Sequence, residues 1–210
     1  MNSPPEVPLE SSHGDSRALK KSLAFAEMRR HGRGLTGTFR PKDATALPEQ
    51  WRRWLDHDFA GLIAPIFREA YDGVIAYRSE DVLAADARLH EALSSRQRSV
   101  SIELRQRMVG GLPDARECRV LRRFTREAEA GTLAGHLPIF FAARAAVLNI
   151  ALRQALLGYA WAEWDLAHQA LGVDRPWTKF LAHGEFLQAA IQNSLVNQDS
   201  QWGSAEGSLP

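Results

Sequence analysis

The chain has 210 residues, of which 45% are hydrophobic and 24% charged, and this is enough for one domain with a substantial core. Its 26 basic and 25 acidic side chains leave a net charge of +1, so the overall charge gives no reason to expect nucleic acid as a partner. The one cysteine, Cys118, excludes an internal disulfide and a cysteine-rich zinc site. The N-terminus has no apolar signal-peptide region, and we expect a cytoplasmic protein.

Both ends of the chain are predicted to be disordered or flexible. Residues 1–14 are rich in Pro and Ser and carry no periodicity, which predicts a disordered tail. A helix is expected from Asp15 or Ser16 to about His31, followed by a glycine-containing loop. After Asn197 the sequence turns polar and rich in Gly and Ser, which predicts a flexible tail over 197–210. One all-helical domain is therefore expected over 15–196.

Helical spacing of apolar residues continues through the first half of this domain. Pro48 opens a predicted helix that Asp58 and Gly61 are expected to break. Pro65 begins the next helix, since proline suits the first helical turn. Ser79 is predicted as the N-cap of the following helix, which runs from Glu80 to Leu93.

The second half is divided by glycines and prolines in the same way. One helix is expected from Val100 to Val109, another from Asp114 to a stop at Gly131, and a last helix opens at Pro176. The side chains predicted to face inward on these and the earlier helices are Trp51, Trp54, Leu55, Ile66, Ala70, Val74, Tyr77, Val82, Ala85, Leu89, Leu93, Leu104, Met108, Val120, Leu121, Phe124, Ala128, Phe180, Phe186, Leu187 and Ile191.

Residues 135–172 form the most apolar stretch and are predicted to be a pair of buried helices. Pro138 suits the first turn, and Asn149 can take the left-handed conformation that ends a helix. A membrane span needs about 20 uninterrupted apolar residues, and Arg144 and Arg153 interrupt this stretch. Inward positions are predicted at Phe141, Ala145, Leu148, Leu152, Leu156, Tyr159, Ala160 and Glu163.

The fold class follows from this pattern. No segment alternates with a period of two over five or more residues, and Val, Ile and Thr do not cluster as they do in strands. We therefore predict an all-α, single-domain bundle of about nine or ten helices joined by short loops.

Histidines raise one alternative interpretation, a metal site. Asp86 and His90 lie four apart on one predicted helix and can face the same way. With His136 and His168 they resemble the metal site of the helical FCD domain of GntR-type regulators, and three imidazoles with a carboxylate suit Zn or Ni. The simpler interpretation places Asp86 and His90 on a solvated helix face, and it is preferred.

No other group of residues indicates catalysis. Glu163 and Asp165, two apart on a helix, point about 200° away from each other and cannot share a proton. The glycines of 32–37 follow a predicted helix and lack a Gly-Lys-Ser/Thr sequence, which excludes a phosphate loop. We expect no enzyme and no bound cofactor. Several arginines, among them Arg122 and Arg123, are interpreted as solvated helix faces or, second, as a protein interface.

The central stretch resembles the C-terminal helix pair of the urease accessory protein family UreF. Its pattern runs A145-A146-x-L148-N149-I150-x-L152-x-x-A155-L156-x-x-Y159-x-x-A162, and Asn149 stands where the family has Gly. Similar segments occur at 47–55, 66–71, 81–107 and 136–138. The family's N-terminal Pro and Gly residues are missing, and residues 163–165 (Glu-Trp-Asp) replace a later element, so the chain resembles a divergent member.

The resemblance implies a non-catalytic helical scaffold for urease assembly. UreF-type proteins dimerise, join a UreD-type partner (UreH in some species) and recruit the GTPase UreG, so that nickel reaches apo-urease. The nickel is delivered by the assembled complex, and no cofactor, nucleic acid or membrane is implied. The alternative is a ligand- or metal-binding sensor domain of the FCD kind. Candidates for a partner interface are His136, Arg144, Arg153, Tyr159, Trp161, Glu163 and Trp164.

Overall fold

The computed structural model describes residues 37–109, 119–172 and 187–192 of the chain. The two predicted tails, the helix predicted over 15–31 and the start of the last helix at Pro176 lie outside these ranges, and so do the side chains of Met108, Phe180 and Phe186. Within the described ranges every regular element is helical, with seven α-helices, one π-helical segment and no strand. The all-α prediction is confirmed, with seven helices described rather than nine or ten.

These residues fold into a bundle around a central helix. The seven helices are α1 (Leu47–Trp54), α2 (Ala64–Ile75), α3 (Ser79–Ala92), α4 (Ser95–Val109), α5 (Arg119–Glu129), α6 (Leu137–Val147) and α7 (Leu152–Leu171). The π-helical segment Leu55–Ile63 joins α1 to α2. Helix α6 packs against α2, α3, α4, α5 and α7. No helix in the described ranges is long and apolar enough to cross a membrane.

The predicted break at Asp58 and Gly61 is wrong. The backbone stays helical through both residues, but the turns widen, and the N–H of Ala64 bonds to the carbonyl oxygen of Phe59, five residues back. The buried side chains of this stretch, Leu55, Phe59, Ile63 and Phe67, are spaced by four. In an α-helix each step of four residues drifts by about 40° around the axis, so wider turns are what keep these side chains on the inner side.

The predicted helix starts are largely confirmed. Pro48, Pro65 and Pro138 each occupy the first or second position of a helix. Ser79 is not the N-cap of α3, because it is already the first helical residue and Arg78 precedes the helix. Its hydroxyl instead accepts a hydrogen bond of 2.7 Å from Nη1 of Arg123 on α5, so this serine links two helices. Helix α4 also begins earlier than predicted, at Ser95.

Two helices end in the left-handed conformation at a residue other than glycine. Asn149 has φ +54°, as predicted, and Tyr77 has φ +56°. At each end the next residue's N–H bonds to a carbonyl five positions back, Ile150 to Ala145 and Arg78 to Gly73, as in the Schellman motif. The reversal turns Tyr77 outward to 79% exposure, so its predicted inward position is wrong. Leu148 is also exposed, at 41%, so its predicted inward position is wrong as well.

The remaining inward predictions within the described side chains agree with the burial pattern. Every one of them is buried except Leu152, which is half-buried. Helix α6 is buried at each position from Leu137 to Ala146, as the prediction of a helix apolar on nearly all sides requires.

The strain at Tyr77 gives a testable expectation. Replacing Tyr77 with glycine should raise the free energy of unfolding by about 1 kcal/mol, because a left-handed residue with a Cβ costs about 1–2 kcal/mol and the exposed ring loses no packing. Asn149→Gly is the matched comparison and should gain less, since asparagine tolerates this conformation. Urea denaturation measures both. A lower unfolding free energy for Tyr77→Gly would show that the ring stabilises the monomer.

Candidate functional site

The first cluster of buried polar groups lies where α6 begins. The Asp86 carboxylate on α3 accepts hydrogen bonds from the backbone N–H of Gly135 (2.9 Å) and of His136 (2.6 Å). The N–H of Leu137 donates to the hydroxyl of Ser101 on α4, at 3.0 Å. These N–H groups precede or open the helix, where no carbonyl of the helix itself can pair with them. The solvated position predicted for Asp86 is therefore wrong.

Burial dominates the electrostatics of this cluster. It raises the pKa of Asp86, while the two backbone N–H groups oppose that change. Nε2 of His136 lies 3.1 Å from Nδ1 of His90. Burial, followed by the positive charges of His90, Arg98 and Arg105, lowers the pKa of His136 from 6.5 to about 4. His136 is consequently neutral at physiological pH, and His90 and His136 can share one hydrogen bond without charge repulsion.

The same cluster contains three of the four residues of the metal alternative. Asp86, His90 and His136 do come together, but the carboxylate oxygens are committed to backbone N–H groups. Nδ1 of His168 lies 3.0 Å from the carbonyl oxygen of Trp164, one turn earlier on α7. Across the described part of the chain, no group of three or more His, Cys, Asp or Glu side chains could hold a metal ion. The arrangement is that of a joint between α3, α4 and α6.

The second cluster surrounds Glu163, which is buried in the middle of α7. Its Oε1 accepts hydrogen bonds of 2.7 Å from the hydroxyls of Thr38 and Tyr159, and its Oε2 accepts one of 3.1 Å from the N–H of Phe39. Burial raises the pKa of Glu163, and burial also raises that of Tyr159 well above its usual range. A Cβ at Gly37 would overlap Oε2 of Glu163. Residues 37–39, which we call the strap, are thus fixed against α7.

The strap also completes an aromatic cluster. The ring of Phe39 lies 4.9 Å from that of Trp51, which stacks on Trp54 at 4.8 Å and meets Trp164 of α7 edge-on at 5.0 Å. Aromatic pairs at these separations add about 0.5–1.5 kcal/mol each beyond their buried area. The strap, α1 and α7 are held together by one carboxylate and one group of rings.

A cavity of about 260 Å³ opens beside the strap. Arg40, Arg53 and Arg96 stand at its exposed edge, and Trp54 and Phe39 form part of its wall. The carboxylate of Asp58 also lines it, and burial raises its pKa, opposed by a hydrogen bond from Gln97. Guanidinium groups together with an aromatic wall suit small anionic or polar ligands, but Asp58 offsets part of that positive charge.

Most of the predicted interface residues are inside the bundle. Arg153 is exposed, and its Nη2 donates a hydrogen bond to Oε1 of Gln188. The other six are buried in this single chain, namely His136, Arg144, Tyr159, Trp161, Glu163 and Trp164. In the monomer these six therefore act in packing and internal hydrogen bonds, and their contact with a partner stays a prediction. Sequence spacing could not reveal the hydrogen bonds of Asp86 or the contact between the strap and α7, because the residues that meet there are distant in the chain.

The comparison with protein families matches the part of the chain that forms the bundle. The family model of UreF matches residues 42–170, from just before α1 almost to the end of α7. The chain belongs to the UreF family. No curated protein and no solved structure matches it. UreF proteins are urease accessory proteins, so membership implies such a role. Asp86, His136 and Glu163 lie within the matched region, and the strap precedes it.

Removing the Glu163 carboxylate should test the strap. Glu163→Ala leaves the N–H of Phe39 and the hydroxyl of Tyr159 buried without their acceptor and should lower the free energy of unfolding by about 3 kcal/mol. Glu163→Gln should lose less, about 1–2 kcal/mol, because its amide carbonyl still accepts from the N–H of Phe39 and its NH2 donates to the hydroxyl oxygens, while the O–H of Tyr159 loses its acceptor. Chemical denaturation measures both. Equal losses in the two variants would show that the carboxylate charge itself is required.

His136 should make stability depend on pH. Because its folded pKa lies below its unfolded value, its contribution is complete above pH 6.5 and is lost as the pH falls toward about 4. At 1.36 kcal/mol per pH unit this amounts to about 3 kcal/mol. The raised pKa values of Asp86 and Glu163 act in the opposite direction, so the difference between wild type and His136→Phe isolates the effect. The exposed His57→Gln should follow the wild type in urea unfolding at each pH.

Proposed function

We propose that this protein is a non-catalytic scaffold in urease maturation. In this role it binds a UreD/UreH-type protein and recruits a UreG-type GTPase, so that the assembled complex delivers nickel to apo-urease. Nickel is the cargo of that complex and is not held by this chain. The protein acts in the cytoplasm, as a homodimer.

The family match over residues 42–170 is the single observation that carries this proposal. It covers all seven described helices except the last residue of α7, so it includes most of the packed core rather than one motif. The buried polar groups support a scaffolding role by their chemistry. Asp86 and Glu163 use their oxygens to hold backbone and hydroxyl groups of the same chain, as groups that fix a fold do.

The test is urease activation in a defined host. The urease subunits are produced with the UreD-type and UreG-type proteins of the same organism, with and without this chain, and urease activity and nickel content are measured. We expect both to rise only when the chain is present. Glu163→Gln serves as a folded control that should retain the activation, and Glu163→Ala should lose it in proportion to the loss of folded protein.

Two results would contradict the proposal. Urease that gains the same nickel content without this chain would remove the accessory role. Purified protein that holds one equivalent of a divalent metal, lost when His90 and His136 are replaced, would instead favour the sensor interpretation. Metal content by mass spectrometry and activation of urease are independent measurements, so the two outcomes are distinguishable.

A further inference from the structure

The outer face of α5 carries a stripe of arginines. Arg119, Arg122 and Arg126 are separated by three and four residues and therefore share one side of the helix. The opposite side holds the buried residues Val120, Leu121, Phe124 and Ala128. All three guanidinium groups are exposed, and the side chain of Arg126 is 76% accessible. We call these three residues the α5 arginine stripe.

The stripe is poorly neutralised by the chain itself. Within the described ranges, Arg119 and Arg122 make no ion pair, and Arg126 reaches Glu127 only at 3.9 Å. The neighbouring Arg123, which lies off the stripe, does have a partner, since its Nη1 lies 2.6 Å from Oε1 of Glu80 on α3. The arginine that faces the bundle is paired, and those that face away from it carry charge outward.

This arrangement costs the isolated helix stability. Arg119 and Arg123, and also Arg122 and Arg126, are like-charged pairs four residues apart, each unfavourable by about 0.2–0.5 kcal/mol. Local conflicts of this kind concentrate where a surface serves function.

We propose that the α5 arginine stripe is a docking surface for an acidic patch on a partner protein of the urease assembly complex. The proposal rests on the proposed function for the identity of the partner and on charge complementarity for its chemistry. Guanidinium groups pair with carboxylates in bidentate fashion, and arginine is enriched at binding hot spots. An arriving carboxylate would also relieve the repulsion between the like-charged arginines four residues apart.

The extent of the stripe fits a protein better than nucleic acid. Its three arginines span eight positions, about 10 Å along the axis. Glu129 continues the same side of the helix, and Glu127 and Glu80 flank it. These acids would repel the continuous phosphates of a nucleic acid, and the net charge of the chain is only +1. A local acidic patch on a folded protein could meet the arginines without lying against these acids, and its binding would not require a high net positive charge.

The test measures binding of the purified full chain to the UreD-type and UreG-type proteins of the same organism, one at a time, by titration calorimetry. Arg119→Glu with Arg122→Glu should weaken binding to one of them at least about tenfold, and Arg119→Lys with Arg122→Lys should retain most of it. Lys42→Glu with Arg52→Glu is the control with the same change in net charge at exposed positions of another region, and it should bind as the wild type does. Raising the salt from about 50 to about 300 mM should weaken wild-type binding more than that of the Arg119→Glu/Arg122→Glu variant.

Folding can be separated from binding, because glutamate at these positions replaces two like-charged pairs, with Arg123 and with Arg126, by opposite-charge pairs four residues apart. The Arg119→Glu/Arg122→Glu variant should therefore melt at the same temperature as the wild type or higher. Wild-type binding that this variant leaves unchanged would overturn the docking surface and leave the proposed function standing. If the wild-type chain binds neither protein, both the docking surface and the proposed function are overturned. Tighter binding to a short DNA duplex than to either protein, abolished in the same variant, would overturn the protein partner in favour of nucleic acid.

Discussion

The carboxylate of Asp86 holds the first turn of a helix that has no polar face of its own. Helix α6 is buried on all sides from Leu137 to Ala146, so an amphipathic stripe cannot determine how it is rotated or how far it slides along its axis. Polar contacts at its ends do this instead. Asp86 and Ser101 hold the beginning, and the hydroxyl of Tyr71 donates to the carbonyl oxygen of Ile150 just beyond the end, at 2.8 Å. Because α6 packs against α2, α3, α4, α5 and α7, these few hydrogen bonds also fix how those five helices meet it.

A second buried carboxylate plays a comparable part on α7. Glu163 gathers donors from its own helix and from the strap, which is more than a hundred residues away in the chain. Burial of an acid is costly unless its oxygens are hydrogen-bonded, and here both oxygens have donors. The bundle thus uses apolar area for stability and two acids for specificity of arrangement.

Local pattern predicted much of this fold. Apolar spacing and the prolines at 48, 65 and 138 predicted the described helices and nearly all of their inner faces, because those features act within one or two turns of chain. Asn149 was predicted as a helix end for the same reason. Tyr77 was misplaced because a left-handed tyrosine is unfavourable, so spacing alone continued the helix through it.

What the sequence left open was long-range pairing. Asp86 was interpreted as a surface residue. Nothing near it in the chain indicates that the N–H groups of residues 135 and 136 need it as an acceptor. Glu163 was placed inward by its spacing, but its donors at 38 and 39 were not foreseeable. The resemblance to UreF rests on packing residues, and it identified the family correctly. The candidate interface residues were predicted from their size and charge. Most of those interface candidates are buried in this chain.

The π-helical segment between α1 and α2 has a consequence for how this chain tolerates changes in length. A π turn holds one residue more than an α turn, so a residue deleted from 56–62 can be absorbed when the wide turn closes to an ordinary one. The helices on either side would keep their rotation relative to each other, with Trp51 and Phe67 still inside. Elsewhere in these helices the same deletion would rotate one half by about 100° and expose its core. This stretch is thus where related chains can differ by a residue without rebuilding the bundle.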